Sequence, residues 1–80
     1  MTLKLAKHDV NARQKTITLE DIEKIMEKEG QKIFYFDHDN AHKDLVALVE
    51  HFEEKGYSVY LREVKYGLDE NDYLYEVHIL

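Results

Sequence analysis

The chain has no proline and only three glycines, Gly30, Gly56 and Gly67. Few positions can stop a helix or reverse the chain, so these three divide it. A helical period precedes Gly30. A short apolar run and a second helical period precede Gly56, and two alternating stretches surround Gly67.

The spacing predicts a first helix over 19–29. Leu19, Ile22, Ile25 and Met26 make one apolar stripe, with Thr18 as N-cap. Glu20, Asp21 and Glu23 put negative charge where the helix dipole favours it, and Gly30 takes the C-cap position. A second helix is expected over roughly 41–55, capped by Asp39 or Asn40 and ended by Gly56. Its apolar face is Ala41, Leu45, Leu48, Val49 and Phe52.

The segment Lys32 to Asp37 carries bulk on both faces and reads as a buried, central strand. Tyr57–Lys65 and Asp72–Leu80 read as a hairpin around the loop 66–71. Alternation puts Tyr57, Val59 and Leu61 on one face with Tyr73, Tyr75, Val77 and Ile79. Tyr60, Arg62, Val64, Leu74, Glu76 and His78 take the other face. A register symmetric about residue 69 sets Arg62 opposite Glu76 and Tyr60 opposite His78, and the opposite charges support it.

These elements give an α+β fold, an α/β two-layer sandwich with the order α-β-α-β-β. Its three-stranded sheet is expected to be mixed, with helices packed on one face. The unit from 32 to 64 is expected as a right-handed parallel crossover, and the last strand as an antiparallel addition. Leu3 and Leu5 alternate with polar neighbours, which allows an additional N-terminal strand. Residues 1–15 are read as an N-terminal arm or short strand, the stretch His8 to Lys15 as its polar loop, and 16–80 as a single small domain.

Eighty residues are too few for two domains. A chain of this size buries roughly 60% of the surface its unfolded form exposes, so the core is thin. With no cysteine, stability must come from packing, or partly from a partner. That absence suits a reducing cytoplasm. Lys4, Lys7 and His8 interrupt Leu3, Leu5 and Ala6, which argues against a secretory leader, and no apolar run is long enough to span a membrane.

The formal charge is −6, opposite to what neutralises a phosphate backbone. Nucleic acid and anionic lipid are therefore disfavoured partners, and a basic protein is favoured. The acidic groups Glu20, Asp21, Glu23, Glu27 and Glu29, Glu50, Glu53 and Glu54, and Asp69, Glu70 and Asp72 could imitate phosphates and occupy a nucleic-acid-binding protein. The competing explanation is a solvated surface with i, i+4 pairs such as Glu20 with Lys24.

Two constellations stand out. Asp37, His38, Asp39 and His42 lie where a strand ends and a helix opens, a favoured ligand position in open α/β sheets. Their carboxylates and imidazoles suit a divalent ion such as zinc or manganese. The plainer explanation is helix capping and a polar turn. The second constellation is Tyr35, Tyr60, Arg62 and His78 on the sheet face that the helices leave open. Tyrosine and arginine are favoured anchors of protein interfaces, and a solvated sheet is the plain alternative.

Nothing supports nucleophilic catalysis. Ser58 is the only serine, sits inside an expected strand, and has no glycine-rich elbow or phosphate loop near it. The expected function is therefore a cytoplasmic protein-protein interaction or regulatory domain without enzymatic activity and without a cofactor. Its partner is another protein, or a second copy docked through an edge strand at 72–80. A metal-dependent enzyme built on Asp37, His38, Asp39 and His42 is the alternative, and the acidic mimic is a further one.

Overall fold

In a computed structural model, residues 2–6, 15–70 and 72–80 are described. The expected polar loop at 8–14 and Asn71 of the hairpin loop lie outside the described residues. The order is β1 (Thr2–Lys4), β2 (Thr16–Thr18), α1 (Leu19–Glu29), β3 (Ile33–Asp37), α2 (His42–Glu54), β4 (Val59–Lys65) and β5 (Tyr73–Ile79). The fold is α+β, with the additional N-terminal strand present as β1.

The first helix forms as its sequence dictates. Thr18 Oγ1 accepts from the Asp21 N–H, and the Asp21 carboxylate accepts from the Thr18 N–H, a complete capping box. Gly30 adopts φ 66°, and its N–H donates to the Met26 carbonyl, closing the last turn. The second helix starts differently from expectation. Its N-cap is Ala41, with no side-chain cap, because the Asn40 amide is committed elsewhere. At its far end Gly56 adopts φ 95°, a conformation that strains any side chain.

The sheet corrects the expected topology. Its strand order is β3-β5-β4, and both pairings are antiparallel, so it is not mixed. Strands β3 and β4 do run the same way, but β5 is inserted between them. The central strand is thus the C-terminal one and not β3, and segment 72–80 is not an edge. The physical reason is in the burial pattern. Val77 and Ile79 of β5 are fully packed, whereas β3 alternates exposed Ile33 and Tyr35 with buried Phe34 and Phe36. The aromatic bulk of β3 is one buried face and one open face. The hairpin register is the one expected: Arg62 faces Glu76 and Tyr60 faces His78.

Strand β1 pairs antiparallel with β2 and joins the larger sheet at the β3 edge through a bridge between Leu5 and Phe36. The core lies on one side of the sheet. Phe34, Phe36, Val77 and Ile79 pack there against Ile22 of α1, Leu45, Leu48 and Phe52 of α2, and Leu3 and Ile17 of the small sheet. Burying each such side chain contributes about 1.5–3 kcal/mol.

The two helices are also tied at the surface. Glu23 Oε1 accepts from His51 Nε2 at 2.8 Å and Lys55 Nζ at 2.5 Å. The Lys55 hydrogen bond, then that of His51, holds the Glu23 carboxyl below its ordinary 4.5. A depressed carboxylate contributes its full stability above its ordinary value and loses it as acid carries it through its folded value. Glu23→Gln is therefore expected to lower the melting temperature at neutral pH. The gap from the parent protein should close as the pH falls below 4.5, in thermal melts followed by circular dichroism.

Candidate functional site

The strand order places all four expected interaction residues on the same sheet face. Tyr60, His78 and Ile33 form one cross-strand row, and Arg62, Glu76 and Tyr35 form the next. Both rows lie on the face away from Phe34, Phe36 and Val77, because side chains alternate along each strand. Tyr35 is 46% exposed and Tyr60 is 62% exposed, so the face that carries them is open.

Glu76 organises this face. Its Oε1 accepts from Arg62 Nε at 3.0 Å and from His78 Nε2 at 2.6 Å. Tyr35 stands opposite it on the other neighbouring strand. The His78 hydrogen bond is the main influence on the Glu76 carboxyl, joined by the charges of Arg62 and His78. Together they hold it below 4.5 against the opposing effect of burial. Sequence reasoning set Glu76 opposite Arg62 but did not place it among the site residues. The missing information was that β5 is central, so that Glu76 has a neighbour on each side.

The turn after β3 holds the other constellation. Asp37 Oδ1 accepts from the Asp39 N–H at 3.1 Å and lies 3.2 Å from His38 Nδ1. His38 Nε2 lies 3.7 Å from Asp39 Oδ1, and the His38 ring tilts against Tyr73 at 5.1 Å between centroids. One ligand atom from each of Asp37, His38 and Asp39 lies within 4.8 Å of the other two. His42 is not in that group. It opens α2 and is exposed. Three consecutive residues thus converge, and the fourth expected ligand does not.

The same turn fastens β1. Asn40 Oδ1 accepts from the Lys4 N–H at 2.8 Å, while Asn40 Nδ2 donates to the carbonyls of Lys4 and Asp37, both at 2.8 Å. One side-chain amide imitates a peptide group and extends the ladder across the end of β3. This explains why Asn40 cannot also cap α2.

Several carboxylates of the expected acidic surface have local partners. Asp21 completes the capping box, and Glu23 bridges the helices. Among the described residues no helix is long and apolar enough to cross a membrane.

The chain belongs to the HP0268 family, whose profile matches residues 1–80. No curated protein and no solved structure matches it. Family membership brings no reaction or ligand with it, so the geometry carries the functional reading.

Asn40→Ala removes two hydrogen bonds that hold β1 to the β3 turn and a third within the turn itself. Urea denaturation is expected to show a loss of about 1–2 kcal/mol, the net worth of a few partly solvated bonds.

Proposed function

We propose that this chain is a small non-enzymatic protein-binding domain of the cytoplasm, with the open sheet face carrying Tyr35, Tyr60, Arg62 and His78 as its contact surface. The observation that supports it is the fixed geometry around Glu76. Arg62 and His78 converge on one carboxylate, while the rings of Tyr35 and Tyr60 stay exposed on either side. Tyrosine and arginine are the usual energetic anchors of interfaces. Anchors already held in one rotamer lose less entropy on docking. The partner this favours is basic, given a chain of charge −6.

The test is capture of binding partners by the immobilised chain. Tyr35→Ala combined with His78→Ala is expected to lower capture at least about tenfold, while the circular dichroism spectrum stays that of the folded chain. Leu68→Ala, at the fully exposed tip of the hairpin, is expected to change nothing. Equal capture by the face variant and the parent would sink the reading.

A second reading is favoured by the convergence of Asp37, His38 and Asp39. Carboxylate and imidazole donors suit manganese or zinc, and such a cation would make this turn a metal-dependent centre. Binding stabilises the folded state by mass action, so a thermal-shift titration with each ion reads it directly. The reading expects a rise in melting temperature that His38→Ala abolishes and His42→Ala leaves intact. A flat titration removes it.

A further inference from the structure

The two edges of the three-stranded sheet are treated differently by the chain. Ser58 and Leu80 exchange backbone hydrogen bonds, and the Tyr66 N–H donates to the Asp72 carbonyl. Antiparallel ladders alternate by two, so Tyr60, Arg62 and Val64 also turn their backbone groups toward β5. Val59, Leu61, Glu63 and Lys65 must then turn theirs outward. On the far side, the Ile79 N–H donates to the Lys32 carbonyl, which leaves Ile33, Tyr35 and Asp37 facing away from β5.

Those outward carbonyls of β3 are all occupied. Ile33 accepts from Gln31 Nε2, Tyr35 from the Ala6 N–H, and Asp37 from both the N–H and the Nδ2 of Asn40. Among the described residues, no hydrogen bond reaches the outward groups of β4. This edge is seven residues long and regular in register, with no bulge to twist it away.

We propose that the β4 edge pairs antiparallel with β4 of a second copy, making one continuous sheet across a two-fold axis at Leu61. The choice of partner follows from the side chains. With the axis at Leu61, Leu61 meets the partner's Leu61, and Val59 meets the partner's Glu63. Tyr60 meets the partner's Arg62, and the symmetry repeats that pair. Tyr60 and Arg62 form the closer, non-hydrogen-bonded type of pair, where a guanidinium can lie over a ring. Arg62 is 69% exposed despite its bond to Glu76, so its plane is available. An axis at Arg62 sets two guanidinium groups opposite each other, and one at Glu63 sets two carboxylates opposite each other. Axes at Tyr60 or Val64 overlap only three residues of the strand. The Leu61 register alone combines five paired residues with no like charges opposed, which makes the strand complementary to itself. The free edge comes from the backbone topology and the register from the β4 side chains, neither of which requires the open-face reading, though the pairing would join the two open faces into one.

The test is sedimentation equilibrium of the full chain from about 1 µM to about 1 mM, the range in which weak association is visible. A concentration-dependent dimer is expected. Amide exchange at high concentration should slow at Val59, Leu61 and Glu63 and stay unchanged at Tyr60, Arg62 and Val64. Glu63→Pro removes an outward N–H and no bond to β5, so it should keep the circular dichroism spectrum and weaken the dimer at least about tenfold. Should that variant misfold, Tyr60→Arg serves instead: at an exposed position it sets like charges opposite Arg62 and should weaken the dimer, whereas Tyr60→Glu should tighten it. A parent protein that is monomeric throughout overturns the proposal and leaves the edge to a foreign extended segment. A dimer indifferent to both charge substitutions, or exchange slowed only at the even-numbered residues, overturns it equally.

Discussion

Strand β5 is hydrogen-bonded on both sides, and the position of nearly every side chain discussed here follows from that. Antiparallel pairing with β3 and with β4 fixes two registers at once. A slip of one residue in either would carry Val77 and Ile79 out of the core and turn Glu76 into it. The cost would include the transfer of two fully buried aliphatic side chains and the burial of a carboxylate without partners. The central strand is therefore the most strongly specified part of the sheet. The arrangement on the open face is a by-product of the packing beneath it.

The same constraint explains which features were legible in the sequence. Local chemistry was readable wherever one residue type settles one local geometry. Thr18 and Gly30 bracket α1, and Leu45, Leu48 and Phe52 face the core as their spacing requires. The hairpin register followed from Arg62 and Glu76, because opposite charges on facing strands leave few alternatives. Strand order did not follow, since alternation says which face a residue takes and nothing about which strand lies beside it. The run Ile33-Phe34-Tyr35-Phe36 was ambiguous for that reason. Bulk on both faces reads as full burial, yet Tyr35 lies 46% exposed on the open face, in register with Glu76.

The turn after β3 shows a different limit. Asp37, His38, Asp39, Asn40 and His42 were legible as a polar cluster, but not the competition for their groups. A polar side chain near a helix start has the backbone of that helix within reach, and capping is the prior expectation. Here Asn40 meets a stronger demand, since the edge of β1 offers both an N–H and a carbonyl in line with one amide. The helix then begins at Ala41 without a side-chain cap. That trade is long-range in origin: Lys4 and Asn40 are 36 residues apart, beyond any local pattern.

Placing the last strand in the middle has a consequence for the rest of the sheet. A split arrangement moves the edges to β3 and β4, and an edge strand exposes a row of backbone donors and acceptors that must be blunted or used. The chain blunts the β3 edge with a glutamine, an asparagine and a second small sheet, each supplied by a segment that neighbours it in space. Among the described residues the blunting of β4 is confined to charged side chains, and charge protects an edge only against approaches that oppose like signs. Arg62 and Glu63 are adjacent and point to opposite faces, so each screens its own face in its own register. The protection consequently acts as selection, rejecting the registers centred on either charge and leaving the one centred on the leucine beside them.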